Sequence, residues 1–223
     1  MIATRKTAAL LAVGLAGAVL LSGCIIPITI IEMLFPKSKV PPAFALPPEK
    51  TVLVFPDDLI HPISYPPVKR AVAEEVGRLL KENEVVADVV SYDRLVNLQQ
   101  AEPQFNRWAI STVGKKLGAD LVVYVNFQEF SLKDVSVGTL WRGRLGANVR
   151  VVDVHEARRI WPDESAGRAV SASEPTTDNA SESYGAELAR KLAGQLAEEV
   201  AGLFHSRWVD RHRPKETEPH FDD

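Results

Sequence analysis

The sequence predicts an α/β (α+β) fold: one domain with a mixed sheet of about four to six strands, packed with helices and closed by a long C-terminal helix. Three observations predict it. Short apolar runs, Thr51–Phe55 and Leu121–Val125, stand apart with turn residues around them. Segments of helical period lie between these runs. The last apolar segment, 182–207, is the longest amphipathic stripe in the chain.

Each element follows in order. Thr51-Val-Leu-Val-Phe55 reads as a buried strand closed by Pro56-Asp57-Asp58. Pro66 and Pro67 mark a helix start, and Val68, Val72, Val76, Leu79 and Leu80 recur at helical spacing up to about Asn83. Val85–Val90 is a second strand, and 92–100 is weakly helical through Tyr92, Leu95, Val96 and Leu98. Phe105, Trp108, Ala109, Val113 and Leu117 predict one helix ended by Gly118.

Leu121–Val125 continues into alternation at Phe127 and Glu129, and 140–154 alternates through Leu145, Ala147, Val149 and Val151. With a turn over Lys133–Gly138, these two make an antiparallel hairpin. Ile160-Trp161 ends a short strand beside Ala169–Ser171, and 174–183 is a loop. Leu188, Leu192, Leu196, Val200, Leu203 and Phe204 then form one face of the final helix, with Glu187, Arg190, Lys191, Glu198 and Glu199 outside. The predicted order is βαβααβββ(β)α.

The amino terminus has a different character. Arg5 and Lys6 precede an uninterrupted apolar run, Ala8–Leu21, and Ser22-Gly23 lead to Cys24, the one cysteine of the chain. A basic start, an apolar run and small residues are the parts of a secretory signal. The run is short of the roughly 20 residues that span a bilayer as a helix. Leu21-Ser22-Gly23-Cys24 resembles the lipobox of bacterial lipoproteins. That resemblance implies a diacylglycerol on the Cys24 sulfur, cleavage between Gly23 and Cys24, and an acyl chain on the new amino terminus. These covalent chains are the only expected prosthetic groups. Ile25, in place of Asp, points by resemblance to the outer membrane, with the domain facing the periplasm. The alternative is an uncleaved anchor helix, which Pro27 and Glu32 interrupt.

The expected organisation is therefore a signal peptide, 1–23; a lipidated Cys24 with a Pro-rich tether, 24–50; a globular binding domain, 51–208; and a charged, disordered tail, 209–223. Five prolines in Pro36–Pro48 favour an extended linker. The apolar stretch Ile25–Phe35 is assigned to neither membrane nor domain.

Composition bounds the function. Hydrophobic residues make up 46% of the 223, charged residues 25%, and the formal net charge is −3. Removal of 1–23 takes away Arg5 and Lys6 and no acid, so the charge of the remainder moves to −5. No basic footprint for nucleic acid is present, and the lipid must do the anchoring. One cysteine excludes an internal disulfide and a Cys-based zinc site.

Two stretches carry a second resemblance. Gly114-Lys-Lys-Leu-Gly-Ala-Asp-Leu-Val-Val-Tyr-Val125 and Gly146-Ala-Asn-Val-Arg-Val-Val-Asp-Val154, followed by Ile160-Trp161, resemble an extracytoplasmic family. It includes the TolB amino-terminal domain, the lipoprotein activators of penicillin-binding proteins (LpoB-type) and the curli-type secretion lipoproteins (CsgG-type). The resemblance spans about residues 51–207. It implies a binding domain without catalytic residues, acting on an envelope protein partner or by self-association. His155-Glu156-Ala157-Arg158 replaces the family's usual Thr-Gly turn, and no spare amphipathic strands are left for a membrane barrel.

Catalytic signals are sparse. His61, His155, His205, His212 and His220 show no paired-ligand spacing, and neither a nucleophile elbow nor a phosphate-binding loop is found. His61 after Asp57-Asp58-Leu-Ile is a weak metal-like cluster, for which a solvated loop is the simpler reading; no metal, catalytic residue or small-molecule substrate is expected. Trp141-Arg142-Gly-Arg144 is the candidate partner contact, because Trp and Arg are enriched at binding hot spots; a charged sheet face is the simpler reading. The expectation is a lipid-anchored, non-catalytic accessory protein of an envelope process such as cell-wall synthesis or assembly. The alternative is a self-assembling structural or secretion-associated ring.

Overall fold

The structure is a computed structural model and describes residues 37–133, 140–177 and 182–210. The expected lipobox, residues 25–36, residues 134–139 of the expected hairpin turn, residues 178–181 and the expected tail beyond Asp210 lie outside them.

The main unit spans residues 41–207. Its elements are β2 (Thr51–Asp57), α1 (Pro67–Glu82), β3 (Asp88–Val90), α2 (Tyr92–Ala101), a 3-10 turn (Phe105–Arg107), α3 (Ile110–Leu117), β4 (Leu121–Lys133), β5 (Trp141–Asp153), β6 (Arg158–Trp161), β7 (Arg168–Thr177) and α4 (Glu182–Ala201). The sheet runs β3-β2-β4-β5-β6, with β7 also paired to β5. β3, β2 and β4 are parallel, whereas β5 is antiparallel to β4 and to both β6 and β7. This is the mixed α+β domain that the alternation of periods predicts. A separate small unit holds a two-stranded sheet of β1 (Lys37–Val40) and β8 (Arg207–Asp210).

Residues two apart on a strand share a face, and here each face has its own core. Val52, Val54, Val123, Val125 and Phe127 point one way, onto Val72, Val76 and Leu80 of α1 and Leu192 and Leu196 of α4. Leu53, Val122 and Tyr124 point the other way, onto Leu95, Phe105, Val113 and Leu117. The second helical layer also covers Val152 and Val154 at the end of β5; elsewhere on that face of β5, Arg144, Asn148 and Arg150 are polar and half-exposed.

Four elements differ from the expectation. The helix expected through Phe105–Leu117 is broken, with Trp108 and Ala109 extended. On one continuous helix Phe105 and Leu117 would sit about 120° apart, at 3.6 residues per turn. The break lets both reach the same core. The final helix stops at Ala201, not near Arg207, and turns so that Leu203 O accepts the N–H groups of Ala43 (2.8 Å) and Phe44 (3.1 Å). The Pro-rich segment is thus not a spacer throughout: Phe44 stacks on Trp161, and Leu46 is only 5% exposed in the core. β7 runs to Thr177, into the expected loop, because Glu174 on its α4 side bonds Lys191 (2.7 Å) and Gln195.

Gly118-Ala119-Asp120 ties the pieces together. Gly118 closes α3 at φ 72°, a left-handed conformation that glycine adopts without penalty. Asp120 then accepts from Thr51 N (2.9 Å), while its own N–H donates to Thr51 O (2.8 Å). Its carbonyl accepts from Val154 N (3.0 Å). One residue thereby fixes the starts of β2 and β4 to the end of β5.

Candidate functional site

β3, β2 and β4 run parallel, so α1, which follows β2, and α2, which follows β3, leave from one end of the sheet. Ligands of open parallel sheets bind outside the carboxyl ends of the strands. A cleft of about 170 Å³ opens there. Phe55 and Tyr124 form its floor, and Tyr92, Phe105 and Trp108 form its walls. The rings support one another: Phe55 meets Tyr124 edge-on at 5.6 Å and Phe105 at 5.9 Å, and Phe105 meets Trp108 at 6.0 Å. Gln99 and Asn106 add exposed carboxamides at the rim.

Two acids end β2, and they have different partners. Asp58 accepts from Lys69 Nζ (2.7 Å) and from Ile63 N (3.3 Å), so its charge is compensated within the domain. Asp57 accepts from Leu59 N (3.2 Å) and from the Tyr124 hydroxyl. Among the described residues it forms no ion pair. Burial, the bond to Asp57 and that carboxylate's charge all push the Tyr124 phenol well above its ordinary range.

Arg150, opposite Tyr124 in the β4–β5 register, donates to Ala166 O (3.0 Å); two other cations beside the cleft have acids. Arg70 bonds Asp93 and Glu74, each at 2.8 Å, and stacks over Tyr92 at 5.1 Å. Lys116 sits 3.6 Å from Glu102 and 4.5 Å over Trp108. At the lip of the cleft, the β2–α1 loop carries Leu59 at 59% exposure and, next to it, Ile60 at 71%.

A second depression lies at the opposite end of the sheet. Asp120 meets His155 Nε2 (3.2 Å) and Lys50 Nζ (3.9 Å), with Lys115 and Gly118 beside them. The Thr51 N–H, His155 and Lys50 hold the Asp120 carboxyl below its ordinary range. His155 is an exposed turn residue, and Asp120 is occupied by backbone. The arrangement closes the helix-to-strand step.

The expected partner contact is divided by the sheet. Trp141 lies against α4, edge-on to Tyr184 at 5.8 Å and over Gly185. Arg144 lies on the opposite face, 3.3 Å from Glu129. Arg142 is exposed between them. Cys24, with Leu21, Ser22 and Gly23, falls outside the described residues. Among those described, no three His, Cys, Asp or Glu side chains converge as metal ligands. The aromatic cleft was missed from sequence. Its one signal was Asp57-Asp58 closing a strand, which read as a turn.

No protein-family model matches the chain, and no curated protein matches it. Solved structures similar to it include the PelC dodecamer from Paraburkholderia phytofirmans, at 12% identity and a TM-score of 0.42 over 76% of this chain and 98% of that one. Lipoprotein GNA1162 from Neisseria meningitidis is 15% identical, with a TM-score of 0.40 over 67% of this chain and 99% of that one. Protein XCC0632 from Xanthomonas campestris, of family DUF330, is 14% identical, with a TM-score of 0.44 over 73% and 88%. Likenesses at this level assign no partner or activity to this chain.

Proposed function

We propose that this chain is a lipid-anchored envelope protein whose folded unit is a non-catalytic protein-binding module. It stands at the periplasmic side of the outer membrane and assists an envelope process such as cell-wall synthesis or assembly. The observation that carries this reading is Leu21-Ser22-Gly23-Cys24, placed at the end of a basic and then apolar segment, in a chain with no other cysteine. Diacylglycerol and an N-acyl chain on Cys24 supply the two or more hydrophobic chains that stable anchoring needs.

The folded unit supports the binding half of the reading. Its acids mostly serve structure: Asp120 caps backbone, Asp58 holds Lys69, and Glu174 holds Lys191. An open aromatic cleft with exposed apolar residues on its lip suits a protein surface. The second reading is a self-assembled ring, favoured by the outer edge of β7, which pairs with β5 alone among the described residues.

In-cell cross-linking of tagged full-length protein separates the two. Recovery of a distinct envelope protein, lost in Cys24→Ser, is the expected result. A ladder of self-adducts alone would replace the accessory reading with the ring.

A further inference from the structure

We infer that the cleft at the carboxyl end of β2 seats a basic side chain, lysine or arginine, presented by a partner protein. This rests on the protein-binding reading above and adds the place and the chemistry of recognition.

The charge ledger of the cleft points to a cation. Lys69 is held by Asp58, Arg70 by Asp93 and Glu74, Lys116 faces Glu102, and Arg150, beside Tyr124, is turned to Ala166 O and forms no ion pair with Asp57 among the described residues. Asp57 is left half-buried, with the Leu59 N–H and the Tyr124 hydroxyl as its donors among the described residues. A carboxylate accepts at about four lone-pair sites, so it retains acceptor capacity toward the cleft. A partly desolvated charge without a counter-ion gains most from one that arrives already shaped to reach it. Tyr92 and Trp108 each carry one of the chain's own cations, at 5.1 and 4.5 Å, so the arriving charge is met by Asp57 and its aliphatic stem by the apolar rings of the cleft.

The lip points to a protein and not to a free amine. Leu59 and Ile60 follow Asp57-Asp58 directly and are 59% and 71% exposed. A small ammonium ligand in the cleft would leave both in water. A partner that inserts one basic side chain covers them with the surface around it. Asp57 then supplies orientation, and the two apolar residues supply buried area.

The test uses full-length acylated protein in the producing cells, with a photoreactive phenylalanine at position 60 and, separately, at position 158 at the start of β6. The expected result is an adduct from position 60 whose partner peptide carries a lysine or arginine near the cross-link. Asp57→Lys should lower that adduct about tenfold or more. Changing the partner's basic residue to Asp in the Asp57→Lys background should restore it. Leu59→Ser, on an exposed lip residue that leaves the fold intact, should also weaken the adduct. An adduct from position 60 that is unchanged in both variants overturns the inference. So does an adduct from position 158 alone, which leaves protein binding standing and moves the site. Spermidine binding with no protein adduct from position 60 also overturns it. No adduct from either position rejects the protein-binding reading itself.

Discussion

The Tyr124 hydroxyl donates to the Asp57 carboxylate across 67 residues of sequence, joining β4 to the end of β2 at the floor of the aromatic cleft. Asp57 and Asn126 are paired in the parallel register, so Tyr124 lies two residues back along β4 on the face that carries the second core. The bond makes the cleft floor part of the fold.

Tyr124→Phe removes that donor and keeps the edge-on contact with Phe55. The loss should cost about 1–2 kcal/mol, the range for a hydrogen bond to a charged acceptor reduced for partial exposure. Urea unfolding measures it. The phenol is raised in the folded state, so its contribution is complete below the ordinary tyrosine value of about 10 and is lost as pH climbs beyond it. Stability of the parent protein should fall above that pH, and Tyr124→Phe should fall less.

Asp120 has the opposite sign. Its folded value is depressed, chiefly by the Thr51 N–H and then by His155. Its contribution is present above the ordinary aspartate value of about 3.9 and vanishes as pH drops through the lower folded one. Thermal unfolding of the parent should weaken below pH 4. Asp120→Asn should be less stable at neutral pH, by about 1 kcal/mol, and should show a flatter acid limb.

Gly114→Ala is a test of packing against propensity. In an open helix it would gain about 1 kcal/mol. A Cβ at Gly114 would lie 2.6 Å from Val154 Cγ2 and 2.7 Å from Val122 Cγ2, both on buried, branched side chains of the sheet. Neither methyl is the far end of a flexible chain. Overpacking of about 1–3 kcal/mol should outweigh the gain, and the variant should unfold at lower urea.

Leu192→Ala tests the α4 seam. Leu192 is fully buried among the residues that α4 sets on the sheet, and a fully enclosed leucine costs about 2–5 kcal/mol when truncated. Arg190→Ala, on the exposed side of the same helix, should change stability by less than about 0.5 kcal/mol.

Much of the main unit was legible because its signals are periodic. Val68, Val72 and Val76 could only share a helix face, and Val123, Val125 and Phe127 a sheet face. What escaped depends on contacts far apart in the chain. Nothing local tells Leu46 to enter a core, because its burial requires α4 to end where Leu203 can receive Ala43 and Phe44. The prolines around Leu46 read as linker for the same reason. The break at Trp108-Ala109 is set by the sheet and is not visible in helix propensity. The cleft was hidden because its walls come from β2, α2, the 3-10 turn, α3 and β4, and because an acid pair after a strand is ordinarily turn chemistry. Trp141 and Arg144 read as neighbours in sequence, and the pleat sends them to opposite sides.

The most direct measurement is the mass of the amino-terminal peptide of the full-length gene product, recovered from membranes of the producing cells. Lipid anchoring predicts a first residue of Cys24 carrying a thioether-linked diacylglycerol and an N-acyl chain, and a Cys24→Ser form that keeps residues 1–23 and gains no lipid. An unmodified Cys24 within an intact amino terminus, or cleavage elsewhere without acylation, would contradict it.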